Sequence, residues 1–299
     1  MQVGLSQVSM GLLGLRKILL SGNIPAPSTK GMQNSANKVN EKIEIQNVAD
    51  MADIRTELKT INKMRGHPES HIDVEGDGCY NNPLYSGIGK TPFQPATQSC
   101  YVVVENMTDK KIVTNLVTKN KLCSHGKDHS NENINKKNCK CTQNLQMVES
   151  IGNEQRSARE SLSKMYSEGF EGIEDPWINR SIYLPKTFKL NLTLKQQTEL
   201  RKCINYRLCP KELERTKLGT NTQKSECVNR IIRRSLPRSN TFSKNFQGRA
   251  NSAVSSATHG PGESVMALCL SVGAPVAAGS KVHTHLQQEQ KIYENQQTI

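Results

Sequence analysis

The chain has 299 residues, and its 40 Lys plus Arg against 27 Asp plus Glu give a formal charge of +13, which makes polyanions, nucleic acid first, the default partners. Hydrophobic residues at 35% and aromatics at 4% are lean, below the roughly 45–50% apolar share of ordinary domains, so loose packing is expected in places although the length allows one or two domains with a core. No apolar run reaches the roughly 20 residues that span a bilayer, because Val8–Leu20 is broken by Gly11, Gly14, Arg16 and Lys17. That stretch has neither a basic n-region nor a small-residue cleavage site, so no secretory signal is expected. The scattered cysteines then read as reduced intracellular thiols, with metal binding open, and not as a disulfide framework.

Residues 1–22 read as one short helix closed by Gly22 and the break from Pro25 to Pro27. From Thr29 to Lys63, apolar Met32, Ala36, Val39, Ile43, Val48, Met51, Ile54, Leu58 and Ile61 recur mostly at steps of three or four, which predicts two amphipathic helices. At His71 the period changes. Ile72 and Val74 alternate with Asp73 and Glu75, and Gly76-Asp77-Gly78 reads as a turn, so a strand ending at an acid is expected. Cys100–Asn106 and Ile112–Thr118 concentrate Tyr, Val, Ile and Thr on either side of a short connector and predict a hairpin, which completes a three-stranded meander.

The polar stretch Cys123–Asn144 follows, then helical spacing from Ile151 to Tyr166 ended by Gly169, then an irregular passage through Asp175 and Pro176. Helices are predicted at Leu192–Leu208, Lys211–Leu218 and Thr222–Leu236, the last closed by Pro237. Ser239–Ser280 reads as loop with one short helix around Val265–Leu270, and the Gln-rich end as a solvated tail. The organisation expected is a helical region over 1–69, an α/β domain over 70–237 and a loop-rich region over 238–299.

At 100° per residue, the helix at 222–236 gathers Cys227, Val228, Ile231, Ile232 and Leu236 on one side and Glu226, Asn229, Arg230, Arg233 and Arg234 on the other. An ordinary solvated, salt-bridged face has the same composition. The chemical alternative comes from pairing Glu226 with Asp77: an acid on the first strand of a meander and an acid on a late helix are the outer members of an RNase H-like acidic triad. Such a triad holds two divalent ions about 3.5–4 Å apart for phosphodiester transfer.

Longer blocks support that alternative. Gly76–Pro83, Gly89–Gln98, Thr222–Arg230 and Arg233–Pro237, with further blocks from Ser28 to Val276, resemble animal Mutator-like transposases. The resemblance implies an RNase H-like (DDE transposase) core with flanking helices. It also implies metal-dependent DNA cleavage and strand transfer using Mg²⁺ or Mn²⁺, DNA as partner, and residence in the nucleus, and it leaves self-association open. Asp77 would be the first catalytic metal ligand and Glu226 the last, with Lys90, Asn229, Arg230 and Arg233 orienting Glu226 or meeting DNA.

The sequence departs from the family where the second catalytic Asp should follow Ser150–Glu154, since only residues 155–176 precede Trp177. Asp175 is the nearest acid of the right type, but Pro176 follows it and no apolar strand leads in. The core is therefore expected to lack its middle near 166–177, and strand transfer to be absent or very weak.

Cys123, His125, His129, Cys139 and Cys141 supply enough soft ligands for one Zn²⁺, though at irregular spacing; free thiols in a loop are the plain alternative. Gly87-Ile-Gly89-Lys90-Thr91 lacks the first glycine of a phosphate loop, Leu84 standing in its place. The rival to an enzyme is a non-catalytic nucleic-acid-binding or adaptor protein derived from a transposon. A translated remnant without function is the third reading.

Overall fold

The computed structural model describes residues 1–81, 96–108, 110–123, 142–145, 151, 154–170, 172–174, 198, 199, 202, 223–242 and 244–297. They form a mixed α/β structure: α1 (Gln2–Ser6), α2 (Leu12–Ser21), α3 (Thr29–Met64), β1 (His71–Tyr80), β2 (Gln98–Glu105), β3 (Val113–Asn120), α4 (Glu154–Ser167), β4 (Gly172–Glu174), α5 (Gln223–Ser235), α6 (Phe246–His259), α7 (Pro261–Ser271) and α8 (Lys281–Gln297). No described helix is long and apolar enough to cross a membrane.

The strands form one sheet in the order β3-β2-β1-β4. The expected meander is present: β1 pairs with β2 and β2 with β3, both antiparallel. A fourth strand, β4, lies parallel to β1 with Ile72 opposite Ile173, where an irregular passage was expected; three residues are too few for a period to show. Asp77 also sits differently from the expectation. It lies inside β1, opposite Val102, and not at a strand end. Gly-Asp-Gly reads locally as a turn, but here the ladder overrides it, and Gly76 leaves the space that the Tyr101 hydroxyl occupies, which a Cβ would overlap.

Every residue of β2 is buried, so this strand is covered on both faces. Alternation then assigns its side chains to two cores. Cys100, Val102 and Val104 join Val228, Ile232, Ala250 and Val254 from α5 and α6. Tyr101 and Val103 join Ile54, Leu58, Ile72, Val74, Ala158, Met165 and Phe170 from α3, β1, α4 and its C-terminal end. Arg55 is buried at the edge of that second core, holding Glu168 through two bonds at 2.5 and 2.7 Å and donating to the Thr114 carbonyl at 2.5 Å.

Two corrections concern the helices flanking the sheet. Thr29–Met64 is one helix, not two; Ser28 caps it by accepting the Gly31 N–H at 3.1 Å, and no proline interrupts it. At the start of the chain there are two short helices where one was expected, and α2 buries no residue. The C-terminal stretch expected to be loop and tail is helical at Phe246–His259 and Lys281–Gln297, and the short helix expected around Val265–Leu270 is present as Pro261–Ser271. Its small residues are the reason: Ala250, Ala253 and Ala257 are buried in the core, and Gly248 abuts the Asn40 side chain so closely that a Cβ would clash. Ser, Ala and Gly there permit close helix contact instead of marking a loop. The helices expected at Leu192–Leu208 and Lys211–Leu218 lie outside the described residues except for 198, 199 and 202, which are helical.

Candidate acidic site between β1 and α5

In β1 the residues on the side of α5 and α6 are Glu75, Asp77 and Cys79, spaced by two. Two strand residues advance roughly 6.7 Å and four helical residues roughly 6 Å, so a strand and a helix laid alongside can match side chains in step. That matching is observed. The Ser225 N–H donates to Glu75 Oε1 at 2.5 Å, and four residues on, Asn229 Nδ2 donates to Asp77 Oδ2 at 2.8 Å. A turn further along, Ile232 and Arg233 line a small cavity with Cys79.

Asp77 is partly buried, and its other oxygen accepts the Gly78 N–H at 2.8 Å. Burial pushes its pKa up, and the charge of Glu226 adds to this, while the Asn229 and Gly78 bonds and Arg233 pull the other way. Glu226 is therefore within electrostatic reach of Asp77, but it is exposed in the first turn of α5. Glu75 is buried, its Oε2 without a hydrogen-bond partner among the described residues, and burial raises its pKa against the Ser225 bonds and Lys224. Lys224 in turn donates to the Glu105 carbonyl at 3.3 Å and to that of Thr108. The Cys79 thiol is hydrogen-bonded to that of Cys100, which lowers its pKa with help from Arg233 and against burial; in Cys100 the same bond and burial raise it.

Of the residues singled out in the sequence, the structure joins Asn229 to Asp77 by a hydrogen bond, keeps Glu226 and Arg233 near enough for their charges to act on Asp77, and leaves Arg230 exposed on α5. Asn229 does not share the solvated face on which the helical projection puts it. It is 1% exposed because the face buried against β1 is rotated towards Ser225 and Asn229. Lys90, His125, His129, Cys139, Cys141 and Asp175 lie outside the described residues; Cys123 is partly buried. Glu75 was missed, although its period-two relation to Asp77 was the signal.

A pair of divalent ions needs several oxygens in fixed geometry. Here both Asp77 oxygens are engaged by N–H donors, Glu226 faces solvent and Arg233 brings positive charge. Among the described residues no group of three or more His, Cys, Asp and Glu is disposed to hold a metal ion. The described residues do not fit a two-metal centre.

Comparison with known proteins adds one finding. No curated protein and no solved structure matches the chain. The family profile described as Mutator-like transposase matches residues 1–170, more than half the chain, a span that takes in α1 to α4, the β1–β3 meander and Asp77; the block around Glu226 lies beyond it. On that match, the chain belongs to the Mutator-like transposase family.

Proposed function

We propose that the chain is a degenerate transposase catalytic domain of RNase H-like type that binds DNA through its cationic surface and cleaves it weakly or not at all. The observation carrying this reading is the Asn229–Asp77 bond at 2.8 Å, which brings a helix bearing Glu226 to the first strand across 152 positions of sequence. The strand order β3-β2-β1-β4, with an antiparallel meander and a parallel fourth strand, supports the RNase H-like assignment. The engaged oxygens of Asp77 and the exposure of Glu226 support loss of the chemistry, as does the missing second Asp.

The net charge of +13 supports DNA as partner and the nucleus as compartment. Under this reading the chain's own residues hold and orient DNA: Arg230 and Arg233 on α5 meet phosphate, and Asn229 fixes α5 against β1. Mg²⁺ or Mn²⁺ belongs to the ancestral reaction, and Zn²⁺ at the Cys123 segment is a separate proposal testable by metal analysis of the reduced protein with and without Cys139→Ser and Cys141→Ser.

DNA retention measured against salt, together with nicking of supercoiled DNA in Mn²⁺, tests the function. Retention is expected to fall steeply with salt and to be unchanged in Asp77→Ala and Glu226→Ala, without nicking above background. Nicking that disappears in Asp77→Ala would establish an active enzyme instead, and absence of DNA retention at low salt would remove the binding role.

A further inference from the structure

Next to the acidic site lies a pair of sulfur atoms that the DNA-binding reading does not use. Cys79 on β1 and Cys100 on β2 are Cα partners in the ladder. The Asn81 N–H bonds to the Gln98 carbonyl at 3.0 Å and the Asn106 N–H to the Asp73 carbonyl at 2.8 Å. These two bonds fix the phase: the odd-numbered positions from 73 to 81, Cys79 included, are hydrogen-bonded pairs with their partners. Such pairs have Cα atoms about 5.5 Å apart, which is inside the range of about 4.4–6.8 Å that a disulfide spans. Both side chains also belong to the same core cluster, beneath α5 and α6, and they lie close enough for each thiol to shift the pKa of the other.

Access is the second requirement. Both cysteines line a small cavity together with Ile232, Arg233, Leu236 and Asn240. Asn240 is exposed, so the cavity meets the surface. Both cysteines are buried, Cys79 the less so at 7% exposed against 1% for Cys100, which favours Cys79 as the first to meet an oxidant.

We propose that Cys79 and Cys100 are a peroxide-oxidisable dithiol, a modification site that closes a reversible cross-strand disulfide between β1 and β2. The Cys79 sulfur attacks one oxygen of hydrogen peroxide, the O–O bond breaks, and a sulfenic acid and one water result. The Cys100 sulfur then attacks the Cys79 sulfur, the S–O bond breaks, and the hydroxyl leaves as a second water with the Cys100 proton. Two thiols are oxidised by two electrons and one peroxide is reduced to two waters. Dithiothreitol reverses the change by thiol–disulfide exchange. The link would tie β1 to β2 two residues from Asp77, on the side that faces α5, and it holds whether or not the chain binds DNA.

The test uses the intact folded chain, treated with about one equivalent of peroxide, alkylated, and digested with trypsin for mass spectrometry. Cleavage after Arg65, Lys90 and Lys110 places Cys79 and Cys100 in separate peptides, each with no other cysteine. The expected result is loss of alkylation at both positions, a joined peptide pair lighter by two hydrogens, and recovery of both thiols with dithiothreitol. In Cys100→Ala the joined pair should vanish while Cys79 becomes trapped as sulfenic acid by dimedone. Two results would overturn the proposal: Cys123, Cys227 or Cys269 consumed while Cys79 and Cys100 stay alkylatable, or the joined pair formed only after unfolding in urea. The wild-type digest decides the matter even where the variant fails to fold.

Discussion

The two faces of the sheet are built from the same strands, yet they solve different problems. The face under α3 and α4 buries Ile72, Val74, Tyr101, Val103 and Phe170, and its main buried charge, Arg55, is matched by the Glu168 carboxylate and a carbonyl. On the face under α5, β1 presents Glu75 and Asp77, whose pKa values burial raises, and a carboxylate oxygen of Glu75 has no hydrogen-bond partner among the described residues. A single strand thus contributes apolar packing with Ile72 and Val74 on one face and buried polarity with Glu75 and Asp77 on the other. Buried polar groups held at such a cost concentrate at functional sites, which is why the proposed function is tested on the α5 side.

Removing one charge partner from each face is the sharpest way to separate them. Glu168→Ala leaves the Arg55 guanidinium, 1% exposed, without its carboxylate, and should destabilise the chain by about 3 kcal/mol, near the low end for such pairs because Glu168 is 33% exposed. Urea denaturation measures it. On the other face, Glu75→Ala removes the acceptor of the Ser225 N–H and should cost about 1–3 kcal/mol. Glu75→Gln keeps an acceptor oxygen and discards the buried charge, so it should be neutral or stabilising. A large loss from Glu75→Gln would break the contrast between the two faces.

Acid titration sharpens it further. Both Glu75 and Asp77 have folded pKa values raised above their ordinary ones, so the folded state holds more protons than the unfolded. Their contribution is complete below the unfolded values near about 4 and is lost as pH rises through the folded values. The wild-type midpoint should therefore fall relative to a Glu75→Gln, Asp77→Asn double variant as pH rises above about 4, and a constant difference across that range would contradict the assignment.

Legibility of the sequence followed the same division. The meander was readable because Tyr, Val and Thr concentrate in β2 and β3, and α5 because its apolar spacing is regular. Alternation in β1 was readable too, and taken alone it implies a buried side for Ile72 and Val74 and an open one for Asp73 and Glu75. A sheet covered on both faces breaks that inference: Glu75 is 3% exposed. Asp77 as the end of a strand and 246–259 as loop failed for one shared reason, whereas the helix expected around Val265–Leu270 is present. Glycine, serine and alanine read locally as turn or loop, whereas here they make room for Tyr101 at Gly76 and for Asn40 at Gly248. The pairing of Asp77 with α5 was foreseeable through the family resemblance. The burial of Asn229 was not, since a rotation of one residue about the helix axis separates a solvated face from a buried one.

Whether β1 and α5 meet at the acid is most directly tested by a double-mutant cycle on Asp77→Ala and Asn229→Ala, read as unfolding free energies. A hydrogen bond from an amide to a carboxylate predicts a coupling of about 1 kcal/mol or more. Additivity within about 0.3–0.5 kcal/mol would contradict the contact, and with it the placement of Glu226 beside the first strand.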